Sequence, residues 1–229
     1  MFKQKDDFLI SNNERLFAVF ISFSGGACDV YCHLHFSGLV ATQTGNIVLL
    51  ASDLSQKNWI SMLPKIVSLI AFTVGFLLGC WIKEKTTIRH WRLYTLMPVI
   101  IVTGLIPLFS SQFHLLKISL LALVIGLLML SFTGSEIEGN PYTIMMTSGN
   151  YRKMLNDWYL YLTSFGRSKN LKRNAQNYSL VVISFIFGAA TVAFINHLFL
   201  NYSIWITTIT FSLSFILKIY QIKRYQKIL

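Results

Sequence analysis

One carboxylate stands out by its surroundings. Asp29 lies deep in an apolar run, within Gly25-Gly26-Ala27-Cys28-Asp29-Val30-Tyr31-Cys32-His33-Leu34-His35. In the middle of a membrane helix such a group costs about 2.5–3.5 kcal/mol on insertion scales. It should therefore face protein rather than lipid, and by default it marks an ion or substrate path. The other reading is a protonated structural hydrogen-bonder paired with His33 one turn on. The same run holds soft metal ligands: Cys28, Cys32 and His35 share a helical face, with Asp29 and His33 beside it, and thiolates with imidazole suit zinc or copper(I). No standard zinc spacing is present, and the second half of the chain offers no matching set. Packed thiols and interfacial imidazoles are the better reading, and no metal or other cofactor is expected.

A second group follows the same run. Ala41-Thr42-Gln43-Thr44-Gly45-Asn46 puts small, hydroxylated and amide side chains at a membrane edge, and Met146-Thr147-Ser148-Gly149-Asn150 repeats the pattern 104 residues later. Irregular backbone at membrane depth is tolerated only where protein or a water-filled cavity satisfies its amides. Gly45 and Gly149 can take a positive φ. Thr44, Ser148 and the two Asn side chains can cap short helices that start there. Those helix starts also present free N–H groups to an anionic or carboxylate-bearing solute. Capping alone and ligand contact both remain open. The candidate site is Asp29, Thr42, Thr44, Gly45, Asn46, Thr147, Ser148, Gly149 and Asn150.

The remaining polar groups carry less. Glu136 and Glu138 read as solvated or paired with nearby basic residues, and Asp53 and Asp157 as exposed positions on the short helices. His33, His35, His90, His114 and His197 are scattered, and no H-E-x-x-H, G-x-S-x-G or P-loop is present, so no enzyme is expected. Gly75-Phe76-Leu77-Leu78-Gly79 permits close helix approach, first within the bundle and second between two copies of the chain.

The elements that must position these groups are membrane helices. Of the 229 residues 54% are hydrophobic and only 13% charged, about half the charged share of a soluble domain, and the mean hydropathy is +0.55. The bilayer is thus the first partner. The net charge of +11 comes from short basic clusters between apolar runs, with no nucleic-acid-binding motif, so nucleic acid is not expected as a partner. Six runs approach the length needed to cross a bilayer: 16–36, 66–82, 93–110, 116–133, 178–196 and 202–220. With the N-terminus inside, seventeen of the twenty Lys and Arg residues fall on the inner side, leaving Lys57, Lys65 and Lys117 outside, as the positive-inside rule requires. Residues 1–15 mix Lys3, Lys5 and Arg15 with Asp6, Asp7 and Glu14, unlike a cleaved leader, and should be retained. Trp59, Trp81, Trp91, Trp158 and Trp205 fall near span ends, where amphipathic rings prefer the headgroups. Pro98 and Pro107 should bend the third span or mark its ends.

The expected fold is an all-α membrane protein with six transmembrane helices and both termini cytoplasmic. It forms one membrane domain over 1–229. Ungapped, the repeat sets Ala18 against Ala122 and Asp53 against Asp157, and Phe72–Gly75 faces Phe185–Gly188 if about nine residues are inserted in the basic loop 167–176. Each half, 16–110 and 116–220, is span, polar break, short helix, span, span. Three crossings per half invert the second half, an arrangement common in secondary transporters.

Gly25-Gly26-Ala27-Cys28-Asp29, then Phe36 and Thr42-Gln43-Thr44-Gly45-Asn46, resemble the hallmark of the YoaK-like family of small bacterial membrane proteins, a domain of unknown function. The resemblance covers nearly the whole chain and implies an integral protein of the bacterial cytoplasmic membrane, with no established substrate. The second half departs from the family pattern: where an amide-bearing Gly-x-Gln-Asn-like segment is expected, Gly134-Ser135-Glu136-Ile137-Glu138 stands. The leading expectation is a small-solute or ion transporter with a polar site between the two breaks and Asp29 as coupling group. The alternative is a sensor or scaffold whose breaks are purely structural. A homo-oligomer through Gly75 and Gly79 is a further expectation.

Overall fold

The computed structural model describes residues 14–88 and 90–226, with side chains as far as 223. Of the residues weighed above, Lys3, Lys5, Asp6, Asp7, Arg89 and Lys227 lie outside the described residues, as does the Arg224 side chain. Among the described residues, five stretches are helical, long and apolar enough to cross a membrane: Glu14–Phe36, Trp59–Lys85, Trp91–Leu108, Ser111–Ser131 and Lys169–Lys223. The long helices are α1 (Glu14–Phe36), α3 (Trp59–Lys85), α6 (His114–Ser131), α8 (Lys169–Phe199) and α9 (Trp205–Gln226). The last of the five stretches holds both α8 and α9. Between them Leu200 takes φ +44, a conformation costly for a non-glycine residue, and a 3₁₀ turn over Leu200–Ile204 carries the chain into α9.

The third stretch is segmented as its prolines require. A single turn, α4 (Trp91–Tyr94), stops at Thr95, and α5 (Leu96–Leu105) follows with Pro98 in its first turn. There the missing N–H removes no helical bond. Pro107 then sits in the 3₁₀ turn Ile106–Leu108 that ends the stretch. The two remaining helices, α2 (Gln43–Ser55) and α7 (Ser148–Thr163), have 13 and 16 residues. At 1.5 Å per residue that is about 20–24 Å, short of a crossing.

Side-chain pairs fix the directions. Arg15 Nε donates to Asn177 Oδ1 at 2.5 Å, and His35 Nε2 bonds Asn196 Oδ1 at 2.7 Å, so α1 and α8 run side by side in the same sense. Ser24 bonds Thr210 at 2.6 Å and Lys218 lies over the Phe17 ring, so α9 runs the opposite way along α1. Phe17 packs on Phe132 at 5.0 Å between ring centroids. At the other end, Gly38 approaches both Ile118 and the Pro64–Lys65 backbone. Both α6 and α3 are therefore antiparallel to α1.

Two glycine-mediated crossings hold the bundle at its closest approaches. A Cβ on Gly26 would strike the Phe185 carbonyl, and one on Gly188 the Phe23 carbonyl; together these join α1 to α8. A Cβ on Gly126 would strike the Phe72 carbonyl, and one on Gly75 the Leu123 carbonyl, joining α6 to α3. Small residues permit this backbone approach where no hydrophobic effect drives helices together in lipid. The face expected to mediate homo-oligomer contact through Gly75 and Gly79 is filled by α6 of the same chain, with Gly79 against Leu127 and Leu130. The core centres on α1, whose Ala18, Ile21, Ala27, Cys28, Tyr31 and Cys32 are fully buried. The outward faces of α3 and α8 carry Ile70, Val74, Leu77, Ile183, Ile186 and Phe187, side chains suited to lipid.

Candidate functional site

The first break is organised by Asp29. After α1 the chain turns at Ser37, at φ +56, and doubles back along α1. Asp29 Oδ1 accepts N–H bonds from Val40 (2.9 Å) and Ala41 (2.7 Å), and Oδ2 accepts from the Thr42 N–H (3.1 Å) and the Thr42 hydroxyl (2.5 Å). The carboxylate thus occupies the position at the start of α2 where backbone N–H groups favour an anion. The anionic group at this helix start is the chain's own side chain. His33 is exposed and is not the partner of Asp29.

Asn46 closes the same break from the other side. Its Oδ1 accepts from the Leu39 N–H and its Nδ2 donates to the Leu39 carbonyl, both at 2.7 Å. Nδ2 also reaches Gln43 Oε1 at 2.8 Å and Ser68 Oγ at 3.3 Å, and Ser68 donates to the Leu39 carbonyl at 2.5 Å. The second break repeats the clamp: Asn150 Oδ1 accepts from the Thr143 N–H at 3.0 Å, and Nδ2 donates to the Thr143 carbonyl at 2.6 Å and the Met146 carbonyl at 2.8 Å. Each Asn grips the residue seven positions earlier, and both are fully buried. An amide suits this role because one side chain offers donor and acceptor together.

The capping expectation is corrected. Thr42 and Thr147 occupy the N-cap positions of α2 and α7, and neither makes a side-chain cap bond; Thr44 and Ser148 are exposed. Gly45 and Gly149 lie inside the first helical turns with negative φ. Left-handed backbone falls instead at Ser37 in the first break and at Gly134, Glu138, Gly139 and Met145 in the second, Met145 at φ +54. Asp53 is likewise not simply exposed: Lys65 Nζ donates to its Oδ2 at 2.6 Å and to the Ser61 carbonyl at 2.9 Å. That ammonium holds the Asp53 carboxyl below the usual range.

The second break is longer and is built differently. A two-residue hairpin pairs Glu136 with Pro141 and Ile137 with Asn140, around Glu138 and Gly139 in left-handed backbone. Arg173 grips Glu138 with two bonds, of 2.8 and 2.6 Å, Asn177 adds one at 3.0 Å, and Arg15 stands 3.7 Å away. The Arg173 bonds push the Glu138 carboxyl down to about 2. Beyond the hairpin the chain dips to Met145, which meets α1 at Gly25, where a Cβ would lie 2.7 Å from the Met145 Cα. Gly25 and Asp29 are one helical turn apart, about 6 Å along the axis. The two break tips therefore reach α1 within one turn of each other. Asp29, Asn46 and Asn150 themselves make no bond to one another; each serves its own half. Among the described residues no three metal-ligating side chains converge, and Cys28 interacts with Thr207.

Ser68, Gln43 and the Gly25–Met145 contact carry as much of the geometry as the residues singled out by pattern. Gln43 lay within the quoted stretch, whereas nothing in sequence spacing marks Ser68.

A family model described as "Protein of unknown function (DUF1275)" matches residues 17–217. The chain belongs to that family. The match agrees with the YoaK-like resemblance and, with the apolar helices, identifies an integral membrane protein. Neither the curated proteins nor the solved structures gave a match.

Proposed function

We propose that this protein crosses the cytoplasmic membrane of a bacterium six times, as two inverted three-crossing halves with both ends cytoplasmic. In this reading it moves a small polar or anionic solute, or an ion, along the route between its breaks. The inverted arrangement rests on the opposed directions of α1 and α6 and on contacts made twice. Gly26 on Phe185 has its counterpart in Gly126 on Phe72, Gly188 on Phe23 in Gly75 on Leu123, and Asn46 on Leu39 in Asn150 on Thr143. The observation that carries the transport reading is the meeting of two break tips, entering from opposite ends, within one turn of α1. Interrupted helices near the midplane of inverted repeats are where secondary transporters bind solute and ion.

Asp29 is the coupling group in this reading, through the backbone it holds. As a carboxylate it accepts four bonds. A proton on one oxygen replaces an acceptor with a donor facing other donors, so protonation and the position of the first break are linked. A static sensor or scaffold is the second reading. It is favoured by the satisfaction of Asp29, Asn46 and Asn150 entirely within their own halves.

Proteoliposomes carrying an entrapped pH dye separate the two. Under an imposed inside-negative potential and a panel of small carboxylates, phosphate and amides, the wild type is expected to give solute-dependent proton movement. Asp29→Asn and Asn46→Leu should abolish it while eluting as folded protein in gel filtration. Silence of the wild type across the panel, or unchanged flux in both variants, removes the transport mechanism.

A further inference from the structure

Two lysines are buried at the end of the bundle where α1 stops and α3 and α6 begin. Lys65 and Lys117 are each 3% exposed. They flank the turn into the first break: a Cβ on Gly38 would lie 2.8 Å from Ile118 Cδ1 and 3.7 Å from the Lys65 backbone nitrogen. Lys65 is satisfied. Its ammonium donates to Asp53 Oδ2 at 2.6 Å, to the Ser61 hydroxyl at 2.8 Å and to the Ser61 carbonyl at 2.9 Å. Lys117 has no hydrogen-bond or ion-pair partner among the described residues.

The position of Lys117 on α6 shows where its charge goes. Lys117, Leu121, Val124 and Leu128 recur at intervals of three and four and are all buried, so the lysine heads the stripe that α6 turns to protein rather than to lipid. Helical side chains lean towards the start of their helix, and Lys117 lies only about 4.5 Å along the axis from His114, where α6 begins. The stem is therefore packed against the bundle, and the ammonium is carried to its end. No carboxylate is left to meet it there. Asp53 is held by Lys65, and Asp29 by Val40, Ala41 and Thr42. Glu14, Glu84, Glu136, Glu138 and Asp157 stand at the opposite end of the bundle. A buried ammonium without an anion is a costly arrangement. At Lys65 the same end of the molecule answers that cost with a carboxylate and a hydroxyl; at Lys117 the chain offers nothing.

We propose that Lys117 is the binding point for an oxyanion, a carboxylate or a phosphate, that comes from outside the chain. In the six-crossing transport reading this end faces the outer side, so the solute is an anion and meets the protein here first; the binding itself does not rest on that reading. Thermal unfolding of the full chain in a neutral detergent tests it. In buffer with chloride alone, Lys117→Met should melt at or above the wild type, because it removes a buried charge that has no counter-ion. Acetate or phosphate, at an ionic strength matched with chloride, should raise the wild-type melting temperature by about 2–4 °C and saturate with concentration. Lys117→Met should show no such rise, while Lys83→Met, at an exposed lysine of the other end, should keep it. A Lys117-dependent rise brought by phosphatidylglycerol in mixed micelles, and by neither free anion, upholds the site with a lipid phosphate as its occupant. Equal responses in the wild type and Lys117→Met, or a Lys117→Met that melts well below the wild type in chloride, overturn it. Lys117-dependent binding with a wild type silent in the pH-dye assay sinks the transport reading and leaves the site; solute-dependent flux with no Lys117-dependent rise does the reverse.

Discussion

In the first break a carboxylate from α1 gathers the backbone of Val40, Ala41 and Thr42, and Gln43, Asn46 and Ser68 bond one another and the Leu39 and Val40 carbonyls. In the second, the corresponding backbone, Ile144–Met146, meets α1 through Gly25 and a methionine, while its charged group, Glu138, sits out at the hairpin and is held by arginines. Both breaks share the Asn clamp on the residue seven back. What differs is the means of attachment: a buried charge fixes one, shape and a peripheral ion pair the other. A charge-held segment can be released by one proton, whereas a segment held by packing has no such handle. In the transport reading proposed above, that difference gives the responsive role to the first break and the more passive one to the second.

The sharpest way to break that contrast is Asp29→Ala, which leaves three backbone N–H groups and a hydroxyl without their acceptor. The expected loss is above about 3 kcal/mol, since each buried donor left unpaired costs about 1–3 kcal/mol, seen as a large drop in melting temperature in detergent; a small drop would mean that the break holds itself. Next, Asn46→Leu and Asn150→Leu should each cost about 1–3 kcal/mol, since each strips the clamp bonds from a part-buried N–H and C=O, those of Leu39 and Thr143. Near-equal losses sharpen the shared feature, and a large inequality in thermal unfolding would show that the clamps are not equivalent. The smallest effect is expected at the half-exposed ion pair. The Glu138 carboxyl is held at about 2, below its ordinary value near 4.5. Its stabilising contribution is therefore complete above pH 4.5 and lost as the pH falls towards 2. Glu138→Gln should flatten that acid limb of the melting temperature by a small amount, as for exposed pairs generally, and leave the neutral value nearly unchanged.

Much of this arrangement is legible in the sequence, and the gaps have physical causes. The apolar runs give the long helices because lipid demands about 20 apolar residues, and Asp29 announces itself because a charge there needs a protein partner. The structural reading offered His33, one turn along the helix, as that partner. The true donors lie eleven to thirteen residues on and come back only through the turn at Ser37, which no periodicity encodes. The recurrence of Gly-Asn pointed to both clamps, though as helix caps; whether an amide caps forward or clamps backward depends on a loop path that spacing does not carry. In the proposed inverted repeat, Phe72–Gly75 and Phe185–Gly188 fall in the two glycine crossings, and those contacts set Gly26 against Gly126 rather than Ala18 against Ala122. That leaves the second break four residues longer, the room its hairpin occupies.

The glycine crossings bear on how the chain is made. The tightest neighbour of α1 is α8, and that of α3 is α6, and among the described residues each glycine that would bring a Cβ within 3 Å of another element's backbone (Gly25, Gly26, Gly75, Gly126, Gly188) meets a residue on the opposite side of the loop at 109–113. A nascent chain with only its first 110 residues still lacks the backbone that Gly26 packs on, so its glycine seam is open. The seam shuts only once Phe185 and Gly188 have been synthesised. Two separately translated halves should accordingly be poor folders alone and should find each other when co-expressed.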